Sequence, residues 1–295
     1  MKYVYDIDRM SALLYQIIAQ HAKPEAVNWL QQKQEVWRQG NVMQQFNLTF
    51  SAIPRFTGKA VVDINDTTAA ELHAIIPFFT VQGWPLHQLV RAWWLLQLPA
   101  NDKAQYLKQI EVLFDTAEMN ELAALYSALP LLAYPDSWTL RTAEGIRSNI
   151  GIVLDAIMLN NPYPAINLDR APWNQLVMKA IFNDKPVSRI VGLDVRVNPE
   201  LSDVLCDYAH ERWAAGRTVN PMLWRLVAPF MNETSFNDIK RVWNSANNVE
   251  REAAALACAR TQYAPARELL QQDPVLKAEI DQNLLSWEIL SAKLN

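Results

Sequence analysis

The sequence predicts an all-α fold with no significant sheet, on two features of composition and one pattern. Only 7 of the 295 residues are glycine, where about 7% is usual, and the tight turns of β-hairpins depend on glycine. The 16 prolines keep their usual frequency, which indicates helices that start and stop abruptly. Apolar residues also recur at helical spacing, as on one face of residues 138–160.

The glycine shortage also excludes the common phosphate-binding loops. A Rossmann fingerprint needs three glycines within six residues, and a Walker A loop needs two glycines five apart followed by Lys. No two glycines of this chain are closer than six residues. Nucleotide-binding folds built on either loop are therefore excluded.

Prolines, glycines and capping residues set the ends of the predicted helices. Pro24 suits the first turn of the second helix, and Asp66 combines a carboxylate cap with an acidic first turn. Pro99 ends an apolar helix that begins after Gly83. The predicted helices cover residues 9–20, 25–38, 66 onward, 85–98, 102–115, 118–129, 138–160, 169–182, 199–215, 221–230, 235–244 and 249–259, with shorter ones after them.

One segment is predicted to be irregular rather than helical. Residues 47–59 contain Pro54 and Gly58, which interrupt helical patterns. Arg55 and Lys59 are then expected in a loop of defined shape, and loops carry binding and catalytic residues more often than helix faces do. This segment is the first candidate for function.

The chain is predicted to form a single all-helical domain over residues 1–295, because no linker or low-complexity segment divides it. Residues 1–44 form its N-terminal helical pair. Residues 249–260 are rich in alanine and precede Pro265, which is typical of HEAT-type hairpins, whose small side chains let helices stack closely. Residues 231–295 are therefore predicted to be HEAT-like, and the whole chain an irregular α-solenoid without a fixed repeat period.

Charge and hydropathy predict a cytoplasmic protein that binds no nucleic acid. The net charge of −4 and a pI near 5.6 do not provide the basic stripe that displaces phosphate counterions. The N-terminus carries Asp6 and Asp8 and lacks the basic start and unbroken apolar core of a signal peptide. No apolar run reaches the roughly 18 residues that span a bilayer, so no transmembrane segment is predicted.

Signatures of known catalytic sites are absent. His210-Glu211 lacks the second His of a HExxH zinc site, and the chain has no GxSxG elbow and no DDxxD cluster for Mg²⁺. Its two cysteines, Cys206 and Cys258, form no CxxC motif. We therefore predict no metal and no cofactor, and an enzyme stays possible only in a class without a readable signature.

Arg212 is predicted to point into the packing face of its helix, because it lies about 20° from Leu201 on the helical wheel. A buried guanidinium needs a carboxylate, a carbonyl or an anion as partner. The partner is either an acidic residue on a neighbouring helix or an anion in an interhelical pocket. His210 and Glu211 are expected to be solvated or to bond a neighbouring helix.

Two further segments carry candidate side chains. Glu144 and Arg147 have the i, i+3 spacing of a local ion pair, and they flank Gly145, whose place inside a helix predicts a close approach by another helix. Asn174 and Lys179 begin and continue a helix after Pro172. Their side chains could line a polar pocket or serve as ordinary helix-surface residues.

Seven strings of the sequence, in order along roughly residues 45–270, carry a resemblance. They are IPRFTGK (53–59), ELAALYSALPLL (121–132), AEGIRSN (143–149), NPYP (161–164), WNQLVMKAIF (173–182), IVGLDVRVNPEL (190–201) and YAHERWAAGR (208–217). In this order the strings resemble the EboA domain family.

The resemblance implies a bacterial cytoplasmic protein of a biosynthetic operon. The companion products of such an operon resemble a sugar-phosphate cyclase, a prenyltransferase, sugar-isomerase-like barrels and phosphodiesterase-like enzymes. The family has no established catalytic residues, so the resemblance transfers no site. A cyclitol-like, prenylated product would suit a helical protein with many aromatic residues and inward cations, because an amphiphilic anion fits such a pocket.

The first hypothesis is therefore an accessory protein that binds a polar or anionic metabolite, or a partner enzyme, between its helices. The alternatives are an enzyme that uses His210, Glu211 or Glu144 as general acid or base on a sugar- or cyclitol-phosphate, and a scaffold for the pathway enzymes. The candidate ligand-binding residues are Arg55, Lys59, Glu144, Arg147, Asn149, Asn174, Lys179, Asp194, Arg196, His210 and Arg212.

Overall fold

The computed structural model of this protein describes residues 2–40 and 42–294, and most of these residues are helical. Within them no strand forms, and the β-pairing consists of an isolated bridge between Val61 and Pro85. The prediction of an all-α fold without significant sheet is confirmed. The solenoid of HEAT-like hairpins stays a prediction.

The chain divides into two compact units, up to Pro172 and from Trp173 onward. The prediction of a single domain stays a prediction, and its two ends, residues 1 and 295, lie outside the described residues. The helices up to Pro172 are α1 (Ile7–His21), α2 (Pro24–Gly40), α3 (Met43–Thr57), α4 (Asp66–Ile75), α5 (Leu86–Leu95), α6 (Lys103–Thr116), α7 (Met119–Ser127), α8 (Thr139–Arg147), α9 (Gly151–Met158) and α10 (Tyr163–Asn167).

The division falls within α11 (Arg170–Phe182). The helices of the second unit are α12 (Leu193–Arg196), α13 (Pro199–Ala214), α14 (Leu223–Val227), α15 (Glu233–Trp243), α16 (Asn248–Arg260), α17 (Ala264–Gln271), α18 (Pro274–Asp281) and α19 (Trp287–Ala292). Short 3₁₀ turns occupy Leu129–Leu131, Pro135–Trp138, Val187–Arg189 and Ala228–Phe230. Most predicted helices are confirmed to within a few residues.

Helix α5 is the central element of the first unit. It packs against α1, α3 and α7, and its side chains from Leu89 to Leu95 are buried. Two indole groups fix its position, because Trp93 donates a hydrogen bond to the carbonyl of Ser11 in α1 (3.1 Å) and Trp94 donates one to Phe46 in α3 (3.2 Å). Buried tryptophans need such partners for their N–H groups.

The prediction that residues 47–59 are irregular is wrong, because α3 runs through Pro54 to Thr57. Proline lacks the N–H that would donate to the carbonyl four residues earlier, which here belongs to Phe50. Arg91 Nε of α5 donates to that carbonyl instead, at 3.1 Å. A tertiary hydrogen bond thus replaces the missing helical one, and the helix ends at Gly58, whose φ is +70°.

The prediction of one long helix over residues 138–160 is also wrong. Helices α8 and α9 are separate, and the side chain of Ser148 accepts a hydrogen bond from Ile150 N (3.1 Å) between them, a local bond that competes with helix continuation. The close approach predicted at Gly145 is confirmed. A Cβ there would lie 2.6 Å from Tyr126 Cζ and 2.7 Å from Ile157 Cδ1, so the side chains of α7 and α9 occupy that space.

In the second unit α16 is the central helix. It packs against α14, α15, α17, α18 and α19, and residues 253–258 are all buried. A helix that is buried on every side needs small side chains where neighbours are close, which accounts for its alanine run. Among the described residues, no helix is both long and apolar enough to cross a membrane.

Candidate functional site

A cleft of about 440 Å³ opens between α2 and α3 of the first unit, with Trp94 of α5 beneath it. Its volume lies within the range of roughly 300–1,000 Å³ that is usual for small-molecule sites. We call it the aromatic cleft. It is lined by Trp29, Lys33, Val36, Trp37, Gln45, Leu48, Thr49, Ala52, Arg55, Phe56 and Trp94.

Stacked rings give the aromatic cleft firm walls. Trp29 of α2 stacks on Phe56 of α3 with ring centroids 4.1 Å apart, and Phe46 contacts both Trp37 (5.0 Å) and Trp94 (5.1 Å). Such ring pairs add about 0.5–1.5 kcal/mol each beyond the area they bury. The walls are therefore preformed rather than dependent on a ligand.

Apolar side chains of the cleft remain in contact with solvent. Leu48 is 64% exposed, Phe56 48% and Val36 46%. Scattered apolar residues are ordinary on a surface, but a contiguous set at a concave site favours binding of an apolar group.

Two cations complete the cleft. Lys33 of α2 and Arg55 of α3 both line it, and neither forms an ion pair with a described carboxylate. No Asp or Glu occurs among the lining residues. The cleft therefore combines aromatic walls with positive charge, which suits a ligand that has an apolar part and an anionic part.

A known family model covers the part of the chain that forms the aromatic cleft. Residues 10–228 match a family model described as metabolite traffic protein EboA. The chain belongs to the EboA family. The resemblance carried by the seven strings is thereby confirmed, and the matched range contains every residue of the aromatic cleft. No curated protein and no solved structure matches the chain.

The structure places the predicted site residues of this EboA-family chain in different surroundings. Arg55 lies in the last turn of α3 rather than in the predicted loop, and it lines the aromatic cleft. Lys59 follows the helix and is exposed.

The charge of Lys59 also affects the buried His87. Burial lowers the pKa of His87, and the charges of Arg91 and Lys59 lower it further, so the imidazole is neutral at neutral pH.

The predicted ion pair between Glu144 and Arg147 is wrong. Glu144 instead lies 3.6 Å from Arg141, whose guanidinium also binds Glu111 and Asp115 of α6. Glu144 therefore joins the carboxylates around Arg141, one turn earlier on α8, rather than pairing with Arg147. Arg147 and Asn149 are exposed at the end of α8 and just beyond it.

Three of the predicted site residues in the second unit, Asn174, Lys179 and Arg196, have protein partners. Asn174 exchanges amide hydrogen bonds with Asn198, at 2.8 and 3.1 Å, and Arg196 lies 4.6 Å from the ring of Trp173. Lys179 is half-buried on α11, and it too has a partner.

Asp194 is engaged by two arginines. It accepts hydrogen bonds from Arg225 (2.9 Å) and Arg260 (2.8 Å). Burial opposes its ionisation, but these two guanidinium groups outweigh burial and hold the pKa of the carboxyl below its usual range. Asp194 therefore joins α12 to α14 and α16, which is a structural role.

The prediction that Arg212 is buried in the packing face is wrong. Arg212 lies in the last turn of α13, where the helix reaches the surface, and it is half-buried. Its Nε donates to the carbonyl of Thr218 (2.9 Å), and no described carboxylate pairs with it. The buried face of α13 consists of Leu201, Ser202, Leu205 and Ala209.

His210 forms the interhelical bond that the sequence predicts. Its Nε2 lies 2.8 Å from Asp238 Oδ1 of α15, while the neighbouring Glu211 is exposed. Burial raises the pKa of Asp238, against the opposing influence of His210 and Arg241. Among the described residues, no group of three or more His, Cys, Asp or Glu side chains is placed to hold a metal ion.

Sequence reasoning missed most of the aromatic cleft, although two stripes signalled it. Trp29, Lys33, Val36 and Trp37 recur at i, i+4, i+7 and i+8 along α2, which is one helical face. The facing stripe of α3 is hidden because Pro54 and Gly58 predict an irregular segment there. Of the residues that line the cleft, the sequence therefore predicts Arg55 alone.

Proposed function

We propose that this chain is an accessory protein of metabolite traffic, which binds an anionic metabolite with an apolar portion in the aromatic cleft. The observation that carries the proposal is that Lys33 and Arg55 line a cleft with aromatic walls and pair with no carboxylate among the described residues. Its partners would be that metabolite and enzymes of the same bacterial biosynthetic operon. We expect it to act in the cytoplasm.

The chemistry of the cleft favours an amphiphile over a small polar anion. Each buried CH₂ of a ligand contributes about 0.8 kcal/mol, whereas an exposed ion pair contributes about 0.2–1 kcal/mol. Most of the affinity would therefore come from the walls. The two cations would favour ligands with a phosphate or carboxylate end, and a prenylated metabolite that carries a phosphate would have this form.

Three probes separate these contributions: octyl phosphate, 1-octanol and inorganic phosphate, each titrated by calorimetry. We expect octyl phosphate to bind most tightly, 1-octanol more weakly and inorganic phosphate least. Arg55→Gln and Lys33→Gln should each weaken octyl phosphate about 2- to 5-fold and leave 1-octanol unchanged. Arg38→Gln is the matched control, because Arg38 is an exposed cation of α2 outside the lining residues.

Two results would overturn the proposal. The first is inorganic phosphate binding as tightly as octyl phosphate, because the walls would then contribute nothing. The second is an equal loss in Arg38→Gln and Arg55→Gln, because that would reflect the net charge alone.

A second candidate function rests on the pair His210 and Asp238. A buried carboxylate that bonds one imidazole nitrogen and leaves the other free is the arrangement of a general base; the Asp238 side chain is 11% exposed and that of His210 46%. We propose as the alternative an enzyme of the same pathway that acts on a sugar- or cyclitol-phosphate. Purified protein should then convert such a compound, and His210→Ala should abolish turnover while preserving the folded state. Unchanged turnover in His210→Ala would refute this alternative.

A further inference from the structure

Two adjoining cavities lie in the second unit, at the end of α13. Their volumes are about 400 and 370 Å³, and Thr218, Val219 and Glu250 line both. One is also lined by Arg212, the other by Arg217 and Arg241. We call them the arginine cavities. They belong to the second unit alone and share no residue with the aromatic cleft.

Across residues 2–40 and 42–294, the three arginines lack carboxylate partners. None of them forms an ion pair with a described Asp or Glu. Asp238 lies close enough to Arg241 for the arginine charge to affect its pKa, but its hydrogen bond goes to His210. In a chain with a net charge of −4, these three guanidinium groups and Lys185 outnumber the two carboxylates that line the cavities, Asp184 and Glu250.

Aromatic and backbone contacts hold two of these guanidinium groups in place. Arg241 lies 4.2 Å from the ring of Trp213, which stacks on the buried Trp224 at 5.8 Å. Arg212 is fixed by its bond to the carbonyl of Thr218. These contacts orient the guanidinium groups without neutralising them, so their remaining N–H groups stay available to an anion.

The backbone turn after α13 sets Arg212 and Arg217 at the cavities. Gly216 has a φ of +68°, and Arg217 N donates to the carbonyl of Arg212 (2.8 Å), which is the closing bond of a glycine-terminated helix. The turn carries the chain from Arg212 to Arg217 and on to Thr218.

We propose that the arginine cavities bind a phosphate monoester whose organic part is small and polar. Guanidinium groups bind phosphate oxygens with paired, charge-assisted hydrogen bonds. Asn220, Asn247 and Glu250 line one cavity beside Arg212 and offer donors and acceptors to hydroxyl groups, while residues such as Val187 and Met222 form the apolar part of its lining. The site is independent of the aromatic cleft and takes a more polar ligand.

Calorimetric titration with glycerol 3-phosphate tests this site, with glycerol as the uncharged comparison. Wild-type protein should bind glycerol 3-phosphate with 1:1 stoichiometry and should not bind glycerol. Arg217→Gln and Arg241→Gln should each weaken binding at least 5-fold. Glu250→Gln should strengthen it, because the substitution removes the negative charge that lines both cavities.

Two controls keep the result specific. Lys240→Gln removes one positive charge from the residue next to Arg241. Lys240 lies over the ring of Phe236 (5.1 Å) and not at a cavity, so this variant should bind glycerol 3-phosphate as wild type does. Arg55→Gln should also bind normally, so this site and the aromatic cleft succeed or fail separately. Both arginines are exposed, and circular dichroism verifies that each variant is folded.

The proposal is overturned if wild-type protein shows no 1:1 binding at millimolar glycerol 3-phosphate. It is equally overturned if Lys240→Gln loses as much affinity as Arg241→Gln, because the effect is then one of net charge. Weaker binding by Glu250→Gln would also contradict it.

Discussion

The most specific structural prediction concerns Arg91, which keeps α3 helical past Pro54. Arg91 is 2% exposed and donates from Nε to the carbonyl of Phe50 (3.1 Å), while its Nη2 lies 3.4 Å from Glu121. Arg91→Met keeps most of the side-chain volume but removes both interactions. The carbonyl of Phe50 then has no donor, because Pro54 supplies none.

The cost follows from these two losses. A buried acceptor left without a donor costs about 1–3 kcal/mol, and a buried carboxylate left without its cation raises the total to about 3–5 kcal/mol. We expect the free energy of unfolding to fall by this amount in urea titrations. Hydrogen exchange should also accelerate in peptides that cover the end of α3.

A double-mutant cycle with Pro54→Ala tests the reasoning itself. Alanine restores an N–H that can donate to the carbonyl of Phe50, so Arg91→Met should cost about 1 kcal/mol less in the Pro54→Ala background. Equal costs in both backgrounds would show that the bond from Arg91 does not compensate for Pro54. Arg91→Met should also weaken the binding of octyl phosphate, because Arg55 and Phe56 of the aromatic cleft follow Pro54 directly.

Three further predictions test individual contacts. Gly145→Ala should lower the free energy of unfolding by about 1–3 kcal/mol, because the new Cβ would lie 2.6 Å from a tyrosine ring carbon. Gly40→Ala is the control, because the nearest atom to its Cβ is 3.6 Å away. Equal melting temperatures for the two variants would contradict this. Folding lowers the pKa of Asp194, so its ion pairs stabilise the protein above the ordinary aspartate pKa of about 4, and this stabilisation is lost as the pH falls below that value. In Asp194→Asn, the free energy of unfolding should therefore depend less on pH in this acid range. Burial raises the pKa of Cys206 and Cys258 to about 12, so iodoacetamide at pH 8 should alkylate native protein far more slowly than urea-unfolded protein, as followed by mass.

The helices were predictable where their signals are local. Pro24 and Pro99 begin and end regular segments, and these signals act within a turn or two of the residue itself. The cap before α4 is Asn65 rather than the predicted Asp66, and it accepts a hydrogen bond from Thr68 N (2.9 Å). An error of one residue is expected where two neighbouring side chains can both cap.

Prediction failed where a distant residue decides the local structure. Pro54 argues against a helix, and the donor that replaces its missing N–H is the guanidinium of Arg91, 37 positions along the chain. The partners of Asp194 are also distant, since Arg225 and Arg260 engage it, and its role as a ligand contact stays a prediction. No window of sequence around either residue contains the partner that determines its role.

The aromatic cleft shows how these errors propagate into function. Its two walls come from stripes on α2 and α3, and each stripe alone is indistinguishable from an ordinary core face. What marks them as a site is that Leu48 and Phe56 stay exposed after folding, while Lys33 and Arg55 pair with no carboxylate in the described part of the chain. Both properties depend on how two helices meet, and Arg91 donates a hydrogen bond to the carbonyl that Pro54 leaves without a helical donor in one of them. The position of the cleft cation at residue 55 is thus tied to a buried contact beneath it, so stability of α3 and ligand affinity should change together.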